Sequence, residues 1–192
     1  MPPIVLGSTS PFRRQLLEKL GLPFITDAPK TDETAMRGES PESLVQRLAR
    51  AKAHDVGARH PDALVIGSDQ VACIDGQILG KPGDRETAIK QLTTAAGKRV
   101  TFYTGLCLLN MATEQEELAV ETFEVKFRPL DHVQIERYVD REQPFDCAGS
   151  FRSEGLGITL FSALHGRDPN ALVGLPLILL VEMLDRQGIS LP

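Results

Sequence analysis

The segment Ala63-Leu64-Val65-Ile66-Gly67 is apolar throughout, and it runs into Ser68-Asp69-Gln70. A strand without polar alternation has to be covered on both faces, as the central strands of helix-flanked sheets are. A chain containing it therefore needs helices above and below a sheet. Ile4-Val5-Leu6 reads as a second short buried strand, followed by Gly7-Ser8-Thr9-Ser10-Pro11 and a helix whose apolar face holds Leu16, Leu17 and Leu20. Ser10 suits the N-cap, Pro11 the first helical position and Gly21 the stop. Ser40 and Pro41 open a second helix in the same way, with Leu44, Val45, Leu48 and Ala49 as its stripe and an end near Gly57.

Further along, Asp75-Gly76 predicts a hairpin between Val71–Ile74 and Gln77–Leu79. A helix is expected from about Asp84 to Ala95, and Arg99–Asn110 and Leu118–Arg128 read as two long paired strands. In the second of these, Phe123, Val125 and Phe127 alternate with Thr122, Glu124, Lys126 and Arg128, as in a half-exposed strand. A short helix over Asp131–Val139, two short strands within Cys147–Phe161 and a buried helix over Pro176–Arg186 complete the reading. Helices interleave with strands and hairpins are present, so the expected class is α/β with a mixed central sheet flanked by helices. No repeat or Ser/Gly linker divides the chain, and residues 1–192 are read as one domain.

Composition excludes several classes of function. The 192 residues are 42% hydrophobic and 24% charged, which is globular. No apolar run approaches the ~20 residues of a membrane span. Cys73, Cys107 and Cys147 form no C-x-x-C pair, arguing against a zinc site or a disulfide framework and for a reduced, cytoplasmic protein. The net charge of −5 argues against a nucleic-acid partner, whose phosphates call for a basic surplus. It leaves room for a local basic pocket that takes a small anion.

The strand-to-helix loop at Ser8, Thr9 and Ser10 presents free N–H groups and hydroxyls at a helix N-terminus. Arg13 and Arg14 follow in the first turn, where cations oppose the helix dipole unless an anion is bound, so an anion site is favoured over a plain cap. Asp69 ends a buried strand, where ligand sites in α/β sheets gather, although taken alone it reads better as a turn aspartate capping local N–H groups. Asp32-Glu33 alone is a solvated loop pair. Lys52, among Ala49, Ala51 and Ala53, and Lys81, between Gly80 and Pro82, are unremarked singly. Together these groups are what a triphosphate with magnesium requires, and no P-loop string is present.

The runs S-T-S-P-F-R-R at 8–14, D-E-T at 32–34, A-K-A at 51–53, G-S-D-Q-V at 67–71, G-K-P at 80–82, T-F-Y-T-G at 101–105 and A-G-S-F-R-S-E-G at 148–155 resemble the Maf family, in order and spacing over nearly the whole chain. The resemblance implies a nucleoside triphosphate pyrophosphatase on an inosine-triphosphatase-like fold, with two lobes around a cleft. It implies that Asp69 accepts a proton, that Glu33 and Asp69 hold a divalent cation, Mg or Mn, and that Ser8, Arg13, Lys52 and Lys81 grip the triphosphate. The partner it implies is a small-molecule nucleotide, and a homodimer is compatible with the sequence.

Three positions depart from the commonest Maf pattern. Phe12 stands where arginine is usual, Gln70 where threonine is usual and Glu154 where glutamine is usual. Together they resemble the subfamily that hydrolyses 7-methyl-GTP to 7-methyl-GMP and diphosphate. N7-methylation makes guanine cationic, which suits stacking on Phe12. The N1–H and N2–H₂ edge offers two donors that the Glu154 carboxylate can accept. Read without that likeness, Phe12 is a core residue and Glu154 a surface one. The alternatives are a pyrophosphatase acting on dTTP, UTP or another modified nucleotide, and a non-catalytic nucleotide-binding regulator of division.

Overall fold

The computed structural model describes residues 1–192. Its seven strands form one mixed sheet in the order β2-β1-β3-β5-β6-β7, with β4 also paired to β3. β1 (Ile4–Gly7) lies parallel to β2 (Phe24–Asp27) on one side and to β3 (Leu64–Ile74) on the other. β4 (Gln77–Leu79) returns antiparallel along β3 through Asp75-Gly76, both with positive φ, as the hairpin signal requires. β5 (Arg99–Asn110) and β6 (Gln115–Phe127) are the two long strands, and β7 (Phe161–His165) runs antiparallel to β6.

The chain forms two compact units. The first comprises Met1–Asp69, Thr104–Glu121 and Asp168–Pro192; the second comprises Gln70–Tyr103 and Thr122–Arg167. In the first unit the apolar strands are covered on both faces, as their composition demands. Ile4, Leu6, Leu64, Ile66, Leu106 and Leu108 pack with Leu16 and Leu17 of α1 (Pro11–Glu18) and with Leu180, Met183 and Leu184 of α6 (Leu177–Arg186). The intervening Val5, Val65 and Cys107 face Ala49, Ala53 and Val56 of α2 (Pro41–Gly57). Each large aliphatic side chain buried in this way contributes about 1.5–3 kcal/mol.

The α2 contact is unusually close. A Cβ on Gly67 would collide with the backbone oxygen of Ala49, and one on Gly105 with that of Val45. Gly7, the register partner of Gly67, faces Val56 and the Lys52 carbonyl of the same helix. Glycines on three adjacent strands thus let α2 lie directly on the sheet.

The second unit adds α3 (Arg85–Ala95) and α4 (His132–Glu142). Asp131 and Gln134 form a reciprocal capping box on α4. Its core centres on Phe151, whose ring meets Phe102, Phe127 and Phe161 edge-on with centroids 4.8–5.6 Å apart.

Two expectations are corrected. The two short strands expected within Cys147–Phe161 are 3-10 turns over Ala148–Ser150 and Leu156–Leu160, and a strand begins only at Phe161. Gly149 and Ser150 have φ near +72° and +64°, which no extended strand accommodates. The strand from Ala63 does not stop at Ser68 either; β3 continues unbroken to Ile74. Its apolar pattern ends because the parallel pairing to β1 ends at Gly7↔Gly67, while the antiparallel pairing to β4 begins at Ala72. The short strands β2 and β7 and the five-residue helix α5 (Pro169–Val173) carry no pattern visible in the sequence.

Candidate active site

The C-terminal edge of the parallel strands β2, β1 and β3 is where the chemistry-bearing residues of the first unit collect. β1 leaves the sheet at Gly7 and enters α1 through Ser8 and Ser10. Ser10 caps α1, its hydroxyl accepting from the Arg13 N–H, and the Ser8 hydroxyl accepts from the Ser10 N–H at 3.1 Å. Ser8 is buried.

The two arginines of the first turn part company. Arg14 turns outward to Glu18, 3.2 Å away, so the paired charge expected at the helix start is reduced to one. Arg13 is half-buried and donates from Nε to the Gly174 carbonyl at 2.8 Å. Burial pulls its guanidinium below the usual arginine range, opposed by the charges of Asp69 and Glu33. Arg13 therefore sits in the field of both carboxylates. Asp168 organises the loop that supplies Gly174. Fully buried, it accepts from the Asn170 and Ile178 N–H groups at 2.8 Å each.

Asp69 lies two residues past the last parallel pair, so the strand-end argument applies to the parallel part of the sheet although β3 itself runs on. Its Oδ1 is 2.6 Å from the Lys52 ammonium, and the same ammonium is 2.7 Å from Glu33 Oε1. Lys52 is only 5% exposed and Asp69 only 7%, whereas the Glu33 side chain is 58% exposed. A buried lysine is stable only when paired, and here one cation is shared by two acids. The small residues Ala49 and Ala53 and the bare face of Gly67 bring α2 close enough for this contact.

The loop bearing Glu33 is tied to α2 by a pair that the sequence reading did not single out. Arg47 donates to Glu39 at 2.7 and 2.8 Å and to the Thr34 carbonyl at 3.0 Å. Arg47 holds the Glu39 carboxyl down to about 2.

Six of the expected residues, Ser8, Phe12, Arg13, Glu33, Lys52 and Asp69, belong to the first unit; Gln70, Lys81 and Glu154 belong to the second. Phe12 is half-buried in the first turn of α1, Gln70 is half-buried in β3, and Lys81 and Glu154 are exposed. Glu154 accepts from the Ser153 hydroxyl at 3.2 Å. Direct contacts join Glu33, Lys52 and Asp69. Ser68, also missed, is fully buried beside Asp69, its hydroxyl 2.9 Å from the Gly105 carbonyl and 3.1 Å from that of Gly174.

No group of three or more His, Cys, Asp or Glu side chains is assembled to hold a metal unaided. The donor chemistry nevertheless fits a hard cation of the magnesium type. Such an ion dehydrates reluctantly and is commonly held by one or two carboxylates together with substrate phosphates. Glu33 and Asp69 supply two such carboxylates, brought together on one ammonium.

Fold and site edge together define a helix-flanked α/β protein with a mixed sheet and its acidic and basic groups gathered at the ends of the parallel strands. The solved structure of the Staphylococcus aureus Ham1 protein matches it with a TM-score of 0.54 at 15% identity, covering 96% of this chain and 99% of that one. Within that class the chain belongs to the Maf family, whose Maf-like protein domain matches residues 3–187. A protein of Alcanivorax borkumensis named 7-methyl-GTP pyrophosphatase is 61% identical over 191 residues, covering 100% of this chain and 97% of that protein. One of Vibrio parahaemolyticus with the same name is 59% identical, covering 98% and 97%.

Proposed function

We propose that this chain hydrolyses 7-methyl-GTP to 7-methyl-GMP and diphosphate, removing a modified nucleotide. The observation that carries the reading is the buried Lys52 ammonium shared by Asp69 and Glu33 at the edge of the parallel strands. A structural ion pair needs one carboxylate. Two acids on one cation, next to a helix N-terminus with Ser8 and Arg13, form a set with uses for both phosphate and water. The relatives at 59–61% identity, named for this activity, support the same substrate.

In this reading Ser8, Arg13, Lys52 and Lys81 bind the triphosphate oxygens. Asp69 takes a proton from the attacking water as its oxygen bonds to the α-phosphorus. The bond from that phosphorus to the bridging oxygen breaks, and diphosphate leaves with the electron pair. Glu33 and Asp69 would hold a divalent cation, which supplies positive charge for the phosphate oxygens as the bond breaks. Before substrate arrives Lys52 offsets one of the two negative charges and holds both acids together. Phe12 stacks on the cationic base, Glu154 accepts from its N1–H and N2–H₂ donors, and Gln70 contributes to the same selectivity.

The base-reading assignment is tested by Glu154→Gln. An amide offers one acceptor where the carboxylate offers two, and it turns an N–H₂ group toward a donor. A charge-assisted hydrogen bond is worth about 1.5–3 kcal/mol, so the ratio of kcat/KM for 7-methyl-GTP over UTP falls by about tenfold to a hundredfold. An unchanged ratio removes Glu154 from base recognition. The metal assignment has a simpler check. Activity disappears in chelator and returns with magnesium or manganese; full activity in chelator removes that role from Glu33 and Asp69.

A further inference from the structure

The second unit contains a hollow of about 220 Å³, lined by Arg128, Arg137 and Arg141 over Leu130, Leu156 and Leu160. Three guanidiniums on one rim stand apart in a chain of net charge −5. Elsewhere Arg14, Arg47, Arg50, Arg59, Arg85, Arg99, Arg152 and Arg186 each meet a carboxylate. None of the three at the hollow does.

Their neighbours are engaged elsewhere. Arg128 donates from Nη1 to the Thr159 carbonyl at 2.7 Å, which fixes its guanidinium beside the hollow. Arg137 and Arg141 are four residues apart on α4, a like-charge spacing that disfavours the helix. The acids of α4 offer them no relief. Glu136 and Asp140 turn to Arg85, and Glu142 accepts from the Leu156 N–H at 2.8 Å.

We propose that this hollow binds a small polyanion of the phosphate class, such as inorganic phosphate or diphosphate. Guanidinium forks match phosphate oxygens two at a time. The leucines that line the hollow beside the arginines lower the local polarity, which strengthens each such contact. The volume is below the roughly 300–1,000 Å³ of ordinary ligand pockets, which favours an anion smaller than a nucleotide. The hollow lies wholly within the second unit, whereas Ser8, Arg13 and Lys52 belong to the first.

Because the nucleotide site would also take phosphate, the test needs a residue-by-residue readout. Amide resonances are followed by NMR while inorganic diphosphate is added to the full chain at low ionic strength. Those of Arg137, Arg141, Leu156 and Thr159 shift and saturate. In Arg137→Gln/Arg141→Gln the dissociation constant read from Leu156 and Thr159 rises by about tenfold or more, while Ser8–Arg13 respond as in the wild type. Both arginines are exposed, so the variant keeps its fold, which an unchanged melting temperature verifies. No shift at α4, a shift that never saturates, or an undiminished response in the double variant would each overturn the site.

Discussion

Asp69→Asn lowers nucleotide turnover by about a hundredfold or more, the scale of losing a general base or an equally central ligand. The exchange preserves volume but removes the charge facing Lys52 at 2.6 Å. Because both partners are buried, it also has a thermodynamic consequence. Breaking a buried pair by removing one member leaves the other uncompensated, at a typical cost of about 3–5 kcal/mol. Glu33 remains on the ammonium at 2.7 Å and holds the loss toward the lower end, although its exposure prevents full compensation. Turnover is therefore measured well below the melting temperature, with circular dichroism on the same sample. Pairing the exchange with Lys52→Met removes the orphaned ammonium, and recovery of the melting temperature in the double variant assigns the stability loss to that buried charge. Wild-type turnover in folded Asp69→Asn would remove Asp69 from the mechanism.

Gly67→Ala is expected to damage both stability and activity without touching any charged group. The new methyl would meet the Ala49 carbonyl oxygen and the Ala53 nitrogen of α2, backbone atoms that no rotamer change can move aside. Overpacking of this kind costs about 1–3 kcal/mol, and the rigidity of both atoms places this case at the top of that range. For a chain of this size each kcal/mol lowers Tm by about 2–4 °C, giving a fall of about 6–12 °C. The helix that must retreat carries Lys52 one residue before Ala53, so the ammonium moves away from Asp69. A displacement near 1 Å can cost about a hundredfold in kcat/KM. Gly80→Ala, with nothing within 4 Å of the added carbon and no positive φ, is the stability control and changes little. A Gly67→Ala protein with wild-type Tm and kcat/KM would mean that α2 does not rest on β3 as described.

Much of this frame was legible from local chemistry. The caps at Ser10 and Ser40, the prolines that follow them and the Asp75-Gly76 turn all act within a few residues. What escaped was decided at long range. β2 is a strand because it pairs with β1, not because Phe24–Asp27 alternates. The partner of the Arg13 guanidinium, Gly174, is 161 residues away. The same limit applied to Lys52. Its alanine neighbours were visible, but its burial depends on Gly67 admitting the helix. The error over Cys147–Phe161 has a different source. Two left-handed residues and a glycine at 157, pressed against the Arg152 carbonyl, override the local taste for strand.

The glycines beneath α2 bear on how such a protein diversifies. Main-chain atoms, which every substitution leaves in place, gauge the gap between ammonium and carboxylate in the first unit. Gln70 and Glu154, which the proposed reading assigns to the base, sit on the other unit, on β3 past Asp69 and in a loop free of that gauge. Under the proposed reading, exchanging those two side chains would change which base is accepted while leaving the Lys52–Asp69 gap as it is.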